Sequence, residues 1–282
     1  MKIKPIAVFT LFILLVTING CSGRENNEEN EQPENNMPGE IERIEEIALK
    51  IMQQADIIPV VRMTVEEPGN ENQEKIVTFE ETLLGEVLDK EMNNQNEEET
   101  QEHPENPEAI WDNIKEEVTK LYQHWDELKL KMARERIFSD TIYSFEETMD
   151  SLTISIAEEK QFDTLSAANQ LTVYLAKFMA PFAENALPSA YELKHHTRKI
   201  VLLSATKHYT EAQKRLDLME MLMGEILNDL DDLEASEKAE KLEMSLHNLQ
   251  RVVYKENLDL IKMHSAVFME NITEVIQELE QL

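Results

Sequence analysis

Residues 108–136 read EAIWDNIKEEVTKLYQHWDELKLKMARER, and this stretch decides the fold. Trp111, Ile114, Val118, Leu121, Trp125, Leu128 and Met132 recur at spacings of three and four. That period lines one face of an α-helix rather than one side of a strand. From Glu108 to Leu282 there is a single Gly, Gly224, and only Pro181 and Pro188 of the prolines. A sheet-containing domain of this length needs far more turn residues. The pattern therefore predicts an all-α fold.

Downstream of this first helix, A, the same period continues. Ser139 is a candidate cap for helix B, with Ile142, Phe145, Met149, Leu152 and Ile156. Asp163 is a candidate cap for helix C, which carries Leu165, Ala168, Leu171, Leu175, Phe178 and Phe182. Pro181 should kink or end C, and Pro188 suits the first turn of helix D. The D stripe runs through Tyr191, Leu202, Ala205, Tyr209, Ala212, Leu216, Met219, Met223, Ile226 and Leu230. Ser236 is a candidate cap for helix E, with Leu242, Leu246, Leu249, Val253, Leu260, Val267, Ile272, Val275 and Leu279. The expectation is an antiparallel bundle of about five helices, residues 108–282, in which the two long C-terminal helices D and E form the spine. Alternatively D breaks near Lys207–Thr210 or Gly224, and E near Asn257, giving a six- or seven-helix bundle.

Upstream the reading is ambiguous. Residues 40–92 form a small module in which Ile41, Ile44, Ala48, Ile51 and Ala55 keep helical spacing. Pro59 interrupts, Val60–Val65 reads as extended, and Glu67-Pro68-Gly69-Asn70 is a turn signal. Ile76–Phe79 is either the second strand of a hairpin or the start of a helix ending near Met92. Residues 93–107 (NNQNEEETQEHPENP) are an acidic linker. Residues 21–39 contain almost nothing apolar, so they cannot offset chain entropy and read as a disordered tether. Their acidity should repel anionic headgroups and lift the body away from a membrane.

The chain holds 57 acidic and 27 basic residues, a net charge of −30, which argues against a nucleic-acid partner. One Cys excludes a disulfide framework and a Cys-cluster metal site. That Cys has a telling position. Lys2 and Lys4 precede an apolar run from Ile6 to Ile18, broken only by Thr10 and Thr17. The run falls short of the ~20 residues of a membrane span and has the layout of an export signal, residues 1–20. It ends in Ile18-Asn19-Gly20-Cys21, which resembles the signal peptide of a bacterial lipoprotein. The resemblance implies that Cys21 is diacylated, that cleavage makes it the mature N-terminus, and that the protein is lipid-anchored on the extracytoplasmic face of the cell membrane. Two acyl chains anchor stably where one does not.

Motifs for chemistry are sparse. His124-x-x-Glu127, Glu192-x-x-His195 and His208-x-x-Glu211 have the spacing of helical metal ligands. In so acidic a chain about three such pairs arise by chance. His124, Glu127, His208 and His264 are the candidate metal ligands. His124-Trp125-Asp126-Glu127 is similar to the His-x-x-Glu motif of imelysin-like helical proteins, some of them iron-uptake lipoproteins. That resemblance implies, as an alternative function, metal or small-ligand binding for uptake. Asn257, His264 and Asn271 are seven apart and continue the seam of Leu246, Val253 and Leu260. They form either a polar layer inside the bundle or a seam edge facing water. The methionines suit core filling. Asn228–Glu234 lacks the Gly of a calcium loop. No phosphate loop, nucleophile elbow or His-Glu-x-x-His occurs, and no cofactor is implied. The expected function is a non-catalytic helical body that binds a protein partner in the envelope or senses a ligand.

Overall fold

Every regular element in the computed structural model is an α-helix among the residues it describes, 37–66, 82–92, 106–135, 137–230 and 233–281, the side chains of 63–66 and 233–236 excepted. These residues belong to one unit, Asn36–Leu282. The helices are α1 (Gly39–Glu66), α2 (Gly85–Met92), α3 (Pro107–Arg134), α4 (Ser139–Ala157), α5 (Gln161–Met179), α6 (Leu187–Ala205), α7 (Tyr209–Asp229), α8 (Leu233–Val253) and α9 (Leu258–Leu279). Cys21, the expected export signal and most of the expected tether, the turn at 67–70, the segment 76–79 and most of the acidic linker lie outside the described residues.

Helices A, B and C are α3, α4 and α5. All seven stripe residues of α3 are buried. Asn106 caps α3 by accepting from the Ala109 amide at 2.8 Å, and Pro107 occupies its first turn. Ser139 and Asp163 are not caps: α4 starts after Phe138 and α5 after Lys160. Ser236 likewise lies inside α8.

Neither D nor E is a single long helix: the alternative holds, with breaks near Lys207–Thr210 and Asn257 and none at Gly224, giving seven described helices, α3 to α9, in this part of the chain. D divides into α6 and α7, and E into α8 and α9. Lys207, with φ 60°, and Glu256, with φ 54°, occupy the left-handed region at the two breaks. Glu159, φ 53°, does the same between α4 and α5. At Lys207 and Glu159 the geometry is a complete Schellman motif. The Lys207 and His208 amides donate to Ser204 and Leu203, at 3.0 and 2.8 Å. Those of Glu159 and Lys160 donate to Ile156 and Ser155, at 3.1 and 2.9 Å. Gly224 is an ordinary helical residue of α7.

The N-terminal reading also changes. Residues 60–65 are helical, not extended, and α1 continues through Pro59 to Glu66. Ile57, Ile58, Val60 and Val61 are all buried. Apolar residues at i, i+1, i+3 and i+4 share a helix face, and packing of that face overrides the β-branched propensity. α1 is no satellite: it lies against α3 and α5. α6 packs on α5, α7 and α9, α8 on α7 and α9, and α2 on α9 and more lightly on α1. Three-residue turns join α4 to α5 and α6 to α7, so these packed neighbours are antiparallel.

Left-handed backbone costs a side-chain-bearing residue about 1–2 kcal/mol, which Gly avoids. Lys207→Gly and Glu159→Gly should each raise stability by about 1 kcal/mol in urea unfolding, while Lys207→Ala should not. Equal destabilisation by Gly and Ala at Lys207 would contradict the left-handed geometry.

Candidate functional site, a buried charge cluster

Among the described residues the densest chemistry sits where α1, α2, α5 and α6 meet, and of its members the sequence singled out only His195. α6 starts with Pro188 in its first turn, the Leu187 amide donating to Asn185 Oδ1 at 3.0 Å. Every residue from Leu193 to Arg198 is then buried. Arg198 is 0 % exposed, Lys194 6 % and His195 2 %. Two carboxylates meet these cations. Lys194 Nζ lies 2.8 Å from Glu45 Oε1 of α1 and 3.0 Å from Glu91 Oε1 of α2. The Arg198 guanidinium donates to both oxygens of Glu91. Lys194 also stands 4.3 Å from the centre of the Tyr191 ring, a cation–π contact.

α5 supplies the neutral partners. Arg198 Nε donates to Asn169 Oδ1 at 2.7 Å, and its Nη2 to Thr172 Oγ1 at 2.9 Å. Thr172 donates to the Asn169 carbonyl at 2.7 Å, and Asn169 Nδ2 to the His195 carbonyl at 3.2 Å. His195 Nδ1 lies 2.8 Å from the Asn169 carbonyl, so in the neutral ring this nitrogen carries the proton.

Glu91 reaches the cluster because α2 is pinned at both ends. Asp56 of α1, 2 % exposed, accepts from the Leu83 and Leu84 amides at 3.0 and 2.6 Å. Lys90 pairs with Glu270 of α9 at 3.0 Å. Leu84, Val87 and Leu88 fill the core between them.

Protonation follows from burial and neighbours. Burial alone would raise Glu91, but Arg198 and Lys194 outweigh it and hold the carboxyl below its usual range. Burial raises Glu45, offset only in part by Lys194. Burial would lower Lys194, yet Glu45 and Glu91 raise it. Burial, with His196 beside it, drives His195 well below the ordinary histidine value. Burial and Arg215 bring His196 to about 4. Burial lifts Asp56 to about 6 against its amide donors.

Of the residues singled out by sequence, His195 of the Glu192-x-x-His195 pair falls in the cluster, and the candidate metal ligands lie elsewhere and apart. His124 is half-buried on α3, its Nδ1 without a hydrogen-bond partner among the described residues, and Glu127 is exposed. His208 is exposed in the α6–α7 turn, its Nδ1 2.8 Å from Thr206 Oγ1. His264 is half-buried on α9, where burial, Arg251 and Lys255 lower it. Among the described residues no three His, Cys, Asp or Glu side chains converge to hold a metal ion. Asn257 caps α9, accepting from the Leu260 amide at 3.0 Å. Asn271 is half-buried and donates to the Lys241 carbonyl at 3.4 Å. The polar seam is therefore a seam edge and a cap, not an internal layer. The break at Glu256 resets the helical phase, leaving Val267 exposed and Ile261, Phe268 and Met269 inward.

Two surface clefts of about 450 Å³ each lie away from the cluster. One is lined by Asn185, Ser189, Glu225 and Asp229, the other by Glu240, Glu243, Met244 and His247. The cluster itself is a set of mutually satisfied charges that fastens α2 and α1 to α6. Compared with known proteins, the chain matches no family model, no curated protein and no solved structure.

Removing one partner of a buried ion pair costs about 3–5 kcal/mol, whereas replacing both by apolar groups is often neutral. Glu91→Ala should lower unfolding stability by about that amount, and Glu91→Leu with Arg198→Met should recover most of it. A loss under about 1 kcal/mol for Glu91→Ala would contradict the burial of Arg198.

His196 gives a second expectation. Its folded value lies below the unfolded 6.5, so its contribution is full above pH 6.5 and is lost as pH falls toward 4. Asp56 acts in the opposite sense, its contribution full below 3.8 and lost as pH rises through about 6. Urea unfolding at pH 7 and pH 4.5 should show His196→Gln less acid-sensitive than the parent by about 2–3 kcal/mol. Identical acid sensitivity of the two would refute a neutral His196.

Proposed function

We propose that the chain is a bacterial lipoprotein, held by acyl chains on Cys21 to the extracytoplasmic face of the cell membrane, whose helical body binds a protein partner in the envelope or senses a ligand without catalysing a reaction. The observation that carries this reading is the placement of the only Cys at the end of a short apolar run that follows two lysines. Among the described residues no helix is long and apolar enough to cross a membrane.

Two features of the body support an interaction role. Its buried charged groups Glu45, Glu91, Lys194 and Arg198 face one another inside the packed interior and hold helices together. Meanwhile large apolar side chains point outward along α7, α8 and α9: Met221, Met244 and Met263 are all at least half exposed. Such side chains are affordable in a monomer singly, but offer contact area to a neighbour.

Cys21→Ser should move the protein from the membrane fraction to the soluble envelope fraction, and the parent should carry diacyl mass on its N-terminal peptide. Equal membrane association of the variant would refute the lipid anchor. Cross-linking in native membranes should capture a partner that Met221→Glu with Met244→Glu abolishes.

A further inference from the structure

The helix ends sort into two poles. Lys131, near the end of α3, pairs with Glu40 in the first turn of α1 at 2.7 Å. Burial, and then the charge of Glu42 on α1, raises the carboxyl of Glu280 just past α9. Asn185, just before α6, donates to the Leu279 carbonyl at 2.6 Å. The Ala186 amide donates to Asp229 at the end of α7, and Lys238 near the start of α8 pairs with Glu278. The α3–α4 corner, the α5–α6 turn and the ends of α7 and α9 therefore share the pole at which the chain enters α1. Residue 37 is sixteen peptide steps from Cys21. At about 3.4 Å per step the pole cannot stand farther than roughly 55 Å from the acyl chains.

This pole carries an unusual corner. Phe138 is 83 % exposed, the highest of any large apolar side chain described; Leu130, eight residues before it near the end of α3, is 66 % exposed and Tyr143, five after it in the first turns of α4, 62 %. Phe138 is held rather than loose: its carbonyl accepts from the Thr141 amide at 2.9 Å, opening α4, while Ile137 packs on the core. Residues 129–140 contain four basic and two acidic side chains in a chain of net charge −30. Lys129 and Lys131 are paired with Glu146 and Glu40, and Arg134 is exposed.

We propose that the α3–α4 corner is a membrane-contacting tip: in the anchored protein Phe138, flanked by Leu130 and Tyr143, inserts at the headgroup boundary of the leaflet that holds the Cys21 acyl chains. The proposal rests on the lipid-anchor reading above. An aromatic and aliphatic tip with basic flanks is the chemistry of an interfacial contact, and Tyr suits the headgroup level. The anchor makes the contact intramolecular, so a weak tip suffices. Acidic residues between Cys21 and α1 act against it. Their repulsion fades beyond about 8 Å at physiological salt, and the tip belongs to the folded body rather than to that segment.

The test exploits the single Cys, which lipidation consumes. Phe138→Cys and Ile154→Cys, each in the lipidated mature chain, are labelled with an environment-sensitive fluorophore in vesicles of phosphatidylglycerol and phosphatidylcholine. Ile154 is 58 % exposed and lies about 24 Å from residue 138 along α4. The expected result is a blue-shifted label at 138, quenched at least threefold more by doxyl lipids than the label at 154. Vesicle flotation reads the anchor separately. Chains that float with an aqueous label at 138 overturn the tip and leave the anchor standing. Chains that do not float overturn the anchor, and the tip with it. In Cys21→Ser/Phe138→Cys without lipid the label should be aqueous; a shielded label there means that protein covers the corner, and overturns the tip too.

Discussion

A guanidinium with no exposed surface constrains the whole body. Arg198 cannot sit inside α6 without an anion and several acceptors, because a buried, unpaired charge is far too costly. Its anion comes from Glu91, on a helix of eight residues. A helix that short does not hold together alone in water. α2 exists because α6 needs its carboxylate and because Asp56 and Lys90 fasten its two ends. Lys194 extends the same demand to α1 through Glu45. Two buried cations one turn apart on α6 thus tie four helices from distant parts of the chain.

Such a cluster contributes differently from the apolar layers around it. Trp125, Phe145 and Phe178 stack where α3, α4 and α5 meet, with ring centroids 4.3 to 5.7 Å apart. Those contacts are strong but tolerant, since apolar faces slide and repack at modest cost. The ion pairs are close to neutral in energy against an apolar replacement, yet costly to break one-sidedly. A one-turn slip of α1 or α2 would leave Glu45 or Glu91 buried without its cation. The aromatic layers supply stability, and the charges supply register.

The helical stripes were readable because burial in α3 and α4 follows the 3.6-residue period, while α5 adds buried polar residues such as Asn169 and Thr172 to its stripe. Three features were less so. The breaks in D and E were legible only as an alternative, near Lys207–Thr210 and Asn257, because Lys207 and Glu256 occupy left-handed positions where glycine is the usual signal. The run of Ile57, Ile58, Val60 and Val61 looked like a strand because propensity was weighed without the partner face that buries it. The charge cluster left one trace, an interval in the D stripe between Tyr191 and Leu202 filled by ELKHHTRKIV. A polar stretch inside an otherwise buried helix needs partners, but one sequence does not say that they come from Glu45 and Glu91. The histidine–carboxylate pairs carried little signal, because their spacing is common in so acidic a chain, and the candidate ligands His124, His208 and His264 lie on different elements.

The two poles bear on how such a body meets a partner. If the α3–α4 corner rests on the membrane, the antiparallel helices stand away from it and their flanks face sideways. Met221 on α7, Met244 on α8 and Met263 on α9 then project parallel to the bilayer, within reach of a neighbour embedded in the same membrane. Methionine suits that role, since its flexible thioether adapts to an irregular surface. A diffusing ligand would gain nothing from this orientation. A membrane-bound partner would gain from both bodies being held at one height, which raises their effective concentration without any additional contact.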